Sequence, residues 1–155
     1  MSIPTAANAE TAIVQLLMND TGVSGIVSSR VWLNSAPQQK DADILPYIVG
    51  HVVDKQHAHH LRGASGIAWT RLQLNLFASS YREAKELADA ARIALDGFRG
   101  AVSVGTNTVE IKHLMMDMEQ DNFNPPIDGS QKGRHQVIQD WKIANEESVP
   151  VFPGV

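Results

Sequence analysis

The sequence has no cysteine among its 155 residues. A disulfide framework and thiolate metal sites are therefore excluded, and the absence fits a reducing compartment. No apolar run approaches the ~18 residues of a membrane-spanning helix, so we expect no membrane span. Negative charge exceeds positive charge, with 17 Asp and Glu against 13 Lys and Arg and a formal net charge of -4. Proteins that bind nucleic acids through phosphates are usually basic, so this composition argues against specific DNA or RNA binding.

The remaining composition is that of an ordinary globular protein, with 43% hydrophobic and 19% charged residues. The length suffices for one domain with a substantial core but not comfortably for two. We therefore predict a single domain over residues 1–145. Residues 146–155 contain prolines and no apolar periodicity, which predicts a flexible C-terminal tail.

The clearest secondary-structure signal lies between Ile67 and Phe98. Its first half alternates apolar and polar residues, which is typical of a half-buried strand, and the apolar positions are Leu72, Leu74 and Leu76. Its second half is apolar every three or four residues, which predicts an amphipathic helix. Ser80 and Glu83 lie three residues apart at the junction and fit a capping box.

Weaker patterns predict the other elements. They comprise a helix over Thr5–Asn19, a short helical turn near Val23–Val27, strands near Arg30–Leu33, Leu45–Val53, Val109–Met116 and Arg134–Asn145, and polar loops over Asp54–Gly66 and Asp117–Gly133. We expect an α+β fold, a two-layer sandwich whose mainly antiparallel sheet of about four to five strands carries two helices on one face.

Three histidines in the first predicted loop raise the question of a metal site. Zinc needs ligands that converge on one point, and the only carboxylate close to His57, His59 and His60 in the sequence is Asp54. We therefore expect a solvated loop. A metal site and a pH-sensitive contact between subunits remain the alternatives.

Catalytic motifs are missing. There is no Gly-x-Ser-x-Gly elbow and no phosphate-binding loop. Asp117, Glu119 and Asp121 alternate in the second predicted loop, as in a solvated acidic segment. We predict no enzymatic activity, no cofactor and no bound metal.

The polar face of the central strand carries Trp69, Arg71, Gln73 and Asn75. Such a face often meets only solvent. Exposed Trp beside Arg is also enriched at protein interfaces, and a channel lining is a further alternative. The two long polar loops exceed what hairpins need. Together these features favour a role in assembly with partners.

Three segments carry a family resemblance: Leu45-Pro-Tyr-Ile-Val49, Arg71-Leu-Gln-Leu-Asn-Leu-Phe-Ala78 and Tyr81-Arg-Glu-Ala-Lys-Glu-Leu-Ala-Asp89. In this order they resemble the tail completion, or tail terminator, proteins of long-tailed bacteriophages and prophages, which are also described as minor tail or head–tail joining proteins. The resemblance is good over roughly residues 9 to 100 and weaker afterwards.

The resemblance implies a structural virion protein that forms a hexameric ring at the head-proximal end of the tail tube. The ring would end tube polymerisation and provide the docking surface for the head connector. Implied partners are further copies of the chain, the tail tube protein and the head–tail connector or stopper protein. DNA would pass through the lumen without specific binding. The protein would be assembled in the bacterial cytoplasm and reside in the virion.

Proteins of such a family act through surfaces and loops rather than through catalytic residues, so the resemblance assigns no role to an individual residue. By position, the interface candidates are Trp69, Arg71 and Gln73 on the strand face, His57, His59, His60 and Arg62 in the first loop, and Asp117 and Glu119 in the second. Two alternatives stay open: another head–tail connector component, and a small metal-binding module that uses the histidines.

Overall fold

The computed structural model describes residues 7–37, 44–125 and 133–153. Within these ranges the chain forms three helices, α1 (Ala9–Asn19), α2 (Thr21–Val27) and α3 (Tyr81–Leu95). The strands are β1 (Val31–Leu33), β2 (Tyr47–His60), β3 (Gly63–Ala78), β4 (Gly100–Val104), β5 (Asn107–Asn124) and β6 (Arg134–Glu146). Across the described residues, the helices are all too short or too polar to cross a membrane.

All six strands join one sheet in the order β1-β2-β3-β6-β5-β4. The pairing of β1 with β2 is parallel, and every other neighbouring pair is antiparallel. The sheet curls into a half-barrel, and about half of the described residues lie in strands. The prediction of a two-layer sandwich with four to five antiparallel strands and two helices is therefore wrong.

Part of the error, the underestimated length of two strands, has a physical source in the segments that were predicted as polar loops. β2 continues to His60 and β5 continues to Asn124, and both extensions have paired backbones. Solvent reaches many of the side chains there, so no apolar alternation reveals the strand. Residues 126–132 of the second predicted loop lie outside the described residues.

One face of the sheet packs against the three helices to form the main core. Its largest fully buried side chains are Ile13, Leu17, Ile48, Leu72, Leu74, Leu76, Leu87, Leu95, Ile111, Leu114, Trp141 and Ile143. The predicted inward alternation of the three β3 leucines is confirmed. Most of the stabilising apolar burial of the fold therefore lies on this helix-covered face.

Side chains cap the helices. α1 begins at Ala9, and its N-cap is Asn8, whose Oδ1 accepts from the Thr11 amide at 3.0 Å. The predicted start of this helix, Thr5, lies outside the described residues. At α3, Ser80 Oγ accepts from the Glu83 amide at 3.2 Å, which is the N-cap half of the predicted capping box.

The chain after β6 begins in contact with the sheet. The Glu147 amide donates to the Gly66 carbonyl at 2.8 Å. The residues from 148 to 152 then form neither helix nor strand. The division into a domain over 1–145 and a flexible tail over 146–155 stays a prediction.

Candidate assembly surfaces

The strand β3 places Trp69, Arg71 and Gln73 on the face of the sheet that points away from the helices, here called the outer face. Trp69 is 43% exposed. Further along the same face, Asn75 and Phe77 are buried, because a small second cluster around Ile44, Tyr47 and Phe77 covers them. The predicted polar face is therefore open only over its first half.

The outer face continues across β6 onto β5, where it carries exposed apolar side chains. Trp69 pairs in register with Ala144, and Ala144 pairs with His113. Because alanine is small, the indole and imidazole rings contact across it, with centroids 5.5 Å apart. Met115 and Met118 follow on β5 and are 49% and 54% exposed. We call Trp69, His113, Met115 and Met118 the outer-face strip.

Charged side chains lie beside this strip. Arg71 and Lys142 are directly opposite each other on β3 and β6, and like charges in that arrangement repel. Each has its own carboxylate: Arg71 Nη1 lies 3.7 Å from Asp54 Oδ2, and Lys142 Nζ lies 3.7 Å from Asp117 Oδ1. Asp117 is the extra residue of an irregularity in the β5–β6 register. The structure thus places Asp117 beside Lys142, which lies opposite Arg71 on the outer face.

The ends of β2 and β3 project beyond the rest of the sheet as a two-stranded ribbon, here called the arm, over residues 57–66. The sheet narrows there because β6 ends at Glu146, opposite Ile67. The strands reverse direction at Leu61 and Arg62, just before Gly63, whose φ of +121° suits glycine. Leu61 at the tip has a relative exposure of 107%.

The arm carries the predicted group His57, His59, His60 and Arg62 on paired strands and a turn rather than on a loop. His57 Nδ1 lies 2.8 Å from the Glu147 carboxylate. His60 Nδ1 accepts from the Arg62 amide at 3.1 Å. In the described ranges, no set of three or more His, Cys, Asp or Glu side chains is arranged to hold a metal ion.

Glu119 lies away from the outer face, in a polar network on the helix-covered side. Its Oε1 accepts from Gln139 Nε2 at 2.8 Å. Gln139 is fully buried, and Nε2 also donates to the Ala88 carbonyl at 3.0 Å. Gln139 Oε1 accepts from Trp141 Nε1 at 3.2 Å. The network holds α3 against β6 and β5, and Glu119 belongs to it rather than to the outer face. Its role at an interface stays a prediction.

Lys85 on α3 joins this region to β5. Lys85 Nζ donates to Asp121 Oδ1 at 3.0 Å and lies 3.9 Å from Glu119 Oε2. The hydrogen bond to Asp121 raises the pKa of Lys85, and partial burial opposes that rise. Glu119 and Asp121, which were predicted to lie in a solvated acidic segment, thus both have a partner in the folded chain.

Sequence reasoning missed His113, Met115, Met118 and Gln139. Gln139 interrupts the apolar alternation of β6 between Val137 and Trp141, and this break was a usable signal for a buried polar group. The other three required knowledge of the register between β3, β6 and β5.

A model of the family described as Tail completion protein gp17 matches residues 11–122. The chain belongs to this family. A solved structure titled "Virion of native gene transfer agent (GTA) particle" contains a similar chain, with a TM-score of 0.62 and 17% identity over 88% of this chain and 93% of that chain. At this identity the likeness shows the fold alone. None of the curated proteins matches the sequence.

The family confirms the resemblance seen in the sequence. As a tail completion protein, the chain is a structural component of a virion tail, where it contacts other virion proteins. The outer-face strip and the arm are two surfaces of this tail completion protein on which large apolar side chains are exposed.

Proposed function

We propose that this tail completion protein forms a closed ring of about six copies at the head-proximal end of the tail tube. The ring ends tube polymerisation and provides the docking surface for the head connector. The observation that carries the proposal is the exposure of large apolar side chains, Leu61 on the arm and Trp69, Met115 and Met118 of the outer-face strip. Exposed apolar groups clustered on one surface mark protein–protein contacts. The copy number and the position on the tube come from the family resemblance.

The shape of the subunit favours a ring over a two-fold dimer. The arm projects from one end of the sheet, while Met115 and Met118 lie on its body. When the arm of one copy contacts the body of another, the pair still has one unused arm and one unused body surface. Repetition of that contact closes into a ring when its rotation allows.

In this proposal the two rims of the ring contact different partners, the tail tube protein on one side and the head–tail connector or stopper protein on the other. DNA passes through the lumen without specific binding. The net charge of -4 per chain fits that role, because a lumen with little positive charge does not retain phosphates. The protein acts by assembly, without a cofactor or a catalysed reaction.

A tube-length experiment tests the terminating role. Tail tube protein is polymerised with and without the purified chain, and tube lengths are measured by negative-stain electron microscopy. The proposal predicts shorter tubes with the chain bound at one end only, as a gold label on the chain would show. Unchanged lengths, or label along the tube walls, would contradict the proposed function.

A further inference from the structure

We propose that the arm of one copy docks on the outer-face strip of the next copy, with Leu61 against Met118 and Arg62 against Asp140. This inference rests on the proposed ring and names the surfaces that would join its subunits. It assigns the arm and the strip to one and the same contact.

The arm presents an ordered apolar tip. Leu61 is fully exposed, although leucine is normally placed in a core. Ser65 Oγ donates to the Ala58 carbonyl at 3.0 Å, and the Arg62 amide donates to His60 Nδ1 at 3.1 Å. These bonds hold the turn in shape before any partner arrives, so little conformational entropy is lost on docking.

The outer-face strip offers a matching apolar site. Trp69, Met115 and Met118 are each between 43% and 54% exposed. Methionine side chains adapt their shape to an inserted group, and Trp is enriched among the residues that dominate binding energy. A leucine inserted here would remove apolar surface from water on both partners.

The charges beside the two apolar groups are complementary. No Asp or Glu occurs between Asp54 and Glu83, so the arm carries only Arg62 and histidines as ionisable groups. Asp140 lies opposite Met118 in the β5–β6 register on the outer face. In the described part of the chain, neither Arg62 nor Asp140 has an ion-pair partner, whereas Arg71 and Lys142 nearby are each matched by a carboxylate. Such complementarity fixes the orientation of a contact.

The contact has to form between copies. Gln73 on β3 lies in register with Met118 on β5, through the β6 residue between them. Gly63 at the arm tip is ten residues from Gln73 along β3. At the rise of a β-strand this is about 33 Å. Leu61 therefore does not reach Met118 of its own chain, and the docking is a head-to-tail contact.

Cross-linking tests the docking directly. Because the chain has no native cysteine, only the introduced cysteines can form a disulfide. The double variant Leu61→Cys with Met118→Cys is assembled, with tail tubes present if they are required, and then oxidised. A disulfide needs Cα atoms about 4.4–6.8 Å apart. We expect a ladder of linked oligomers on a denaturing, non-reducing gel. The matched control joins Leu61→Cys to Ile93→Cys, because Ile93 is 74% exposed on α3, on the other side of the sheet.

A charge exchange supplies an independent readout. Arg62→Asp should weaken assembly by about tenfold or more, because it places two carboxylates together. Arg62→Asp with Asp140→Arg should restore it. Rings that form without cross-links, or that cross-link equally in the control, would overturn the docking and leave the ring intact. A complete lack of rings and of tube binding by the native chain would overturn the proposed function together with the docking.

Discussion

Trp69 and His113 contact each other across Ala144 on the outer face, although 44 positions separate them in the chain, and their ring centroids lie 5.5 Å apart. The contact links two strands that are not neighbours in the sheet. It gives the outer-face strip a rigid aromatic end beside the more adaptable methionines.

Trp69→Ala separates the role of this ring in folding from its role in assembly. Loss of the aromatic contact should lower the free energy of unfolding by about 0.5–1.5 kcal/mol, so the chain should remain folded. Ring formation should be lost, because the strip loses its largest apolar side chain. Urea unfolding and light scattering on the same sample measure the two effects. Ile93→Ala is the control. If the Trp69→Ala variant forms rings that are as stable as those of the native chain, the strip is not an interface.

Gln139→Ala should be strongly destabilising. The change leaves Trp141 Nε1 and the Ala88 carbonyl without their partner in a buried site. We expect the free energy of unfolding to fall by about 2–4 kcal/mol. Gln120→Ala, at an exposed position of β5, should change it by less than about 0.5 kcal/mol. Equal effects of the two changes in urea unfolding would contradict the role of the buried network.

The contact between Lys85 and Asp121 should contribute stability that depends on pH. Because the pKa of Lys85 is raised in the folded state, the contribution is fully present below the ordinary value of 10.5 and is lost as pH rises through the higher folded-state value. Both side chains are more than a third exposed. The difference in unfolding free energy between the native chain and Asp121→Asn should thus be only about 0.2–1 kcal/mol.

Urea unfolding at a series of pH values from about 8 upwards, through and beyond the ordinary lysine pKa of 10.5, measures how that difference changes. It should be larger at the lower pH values and shrink at the higher ones. In a Lys85→Met background, the effect of Asp121→Asn should not vary in this way. A difference that grows with pH would mean that folding does not raise the pKa of Lys85.

The arm histidines should be dispensable for folding and should not bind zinc tightly. His57→Ala, His59→Ala and His60→Ala are combined in one variant. Since these side chains are exposed, the free energy of unfolding should change by less than about 0.5 kcal/mol apart from the loss of the His57 contact with Glu147. Zinc titration by calorimetry should show no stoichiometric site in the native chain. A one-to-one site that is absent from the triple variant would revive the metal-binding alternative.

Local sequence patterns predicted the parts of the fold in which one element has one apolar face. The inward alternation of Leu72 on β3 is of this kind, and the N-cap Ser80 was likewise predicted from the residues next to it. The information needed lies within a few neighbouring residues, so the prediction did not depend on the rest of the chain.

The arm and the outer-face strip could not be predicted in this way. His59 lies in a strand whose backbone is paired while its side chain is exposed, so hydrophobic periodicity gives no signal there. The burial of Phe77 depends on Ile44 and Tyr47, which reach it from a distant part of the chain. The contact of Trp69 with His113 depends on the order β3-β6-β5, which no local pattern encodes.

The most direct test of the proposed ring is the mass and shape of the assembled particle. Light scattering of the native chain at high concentration gives the mass of the particle, and negative-stain imaging of the same fraction gives its shape. Both measurements are repeated on the chain bound to tail tubes. We predict a closed ring of about six copies with a central opening wide enough for duplex DNA. A compact dimer that does not bind tube ends would contradict the proposal.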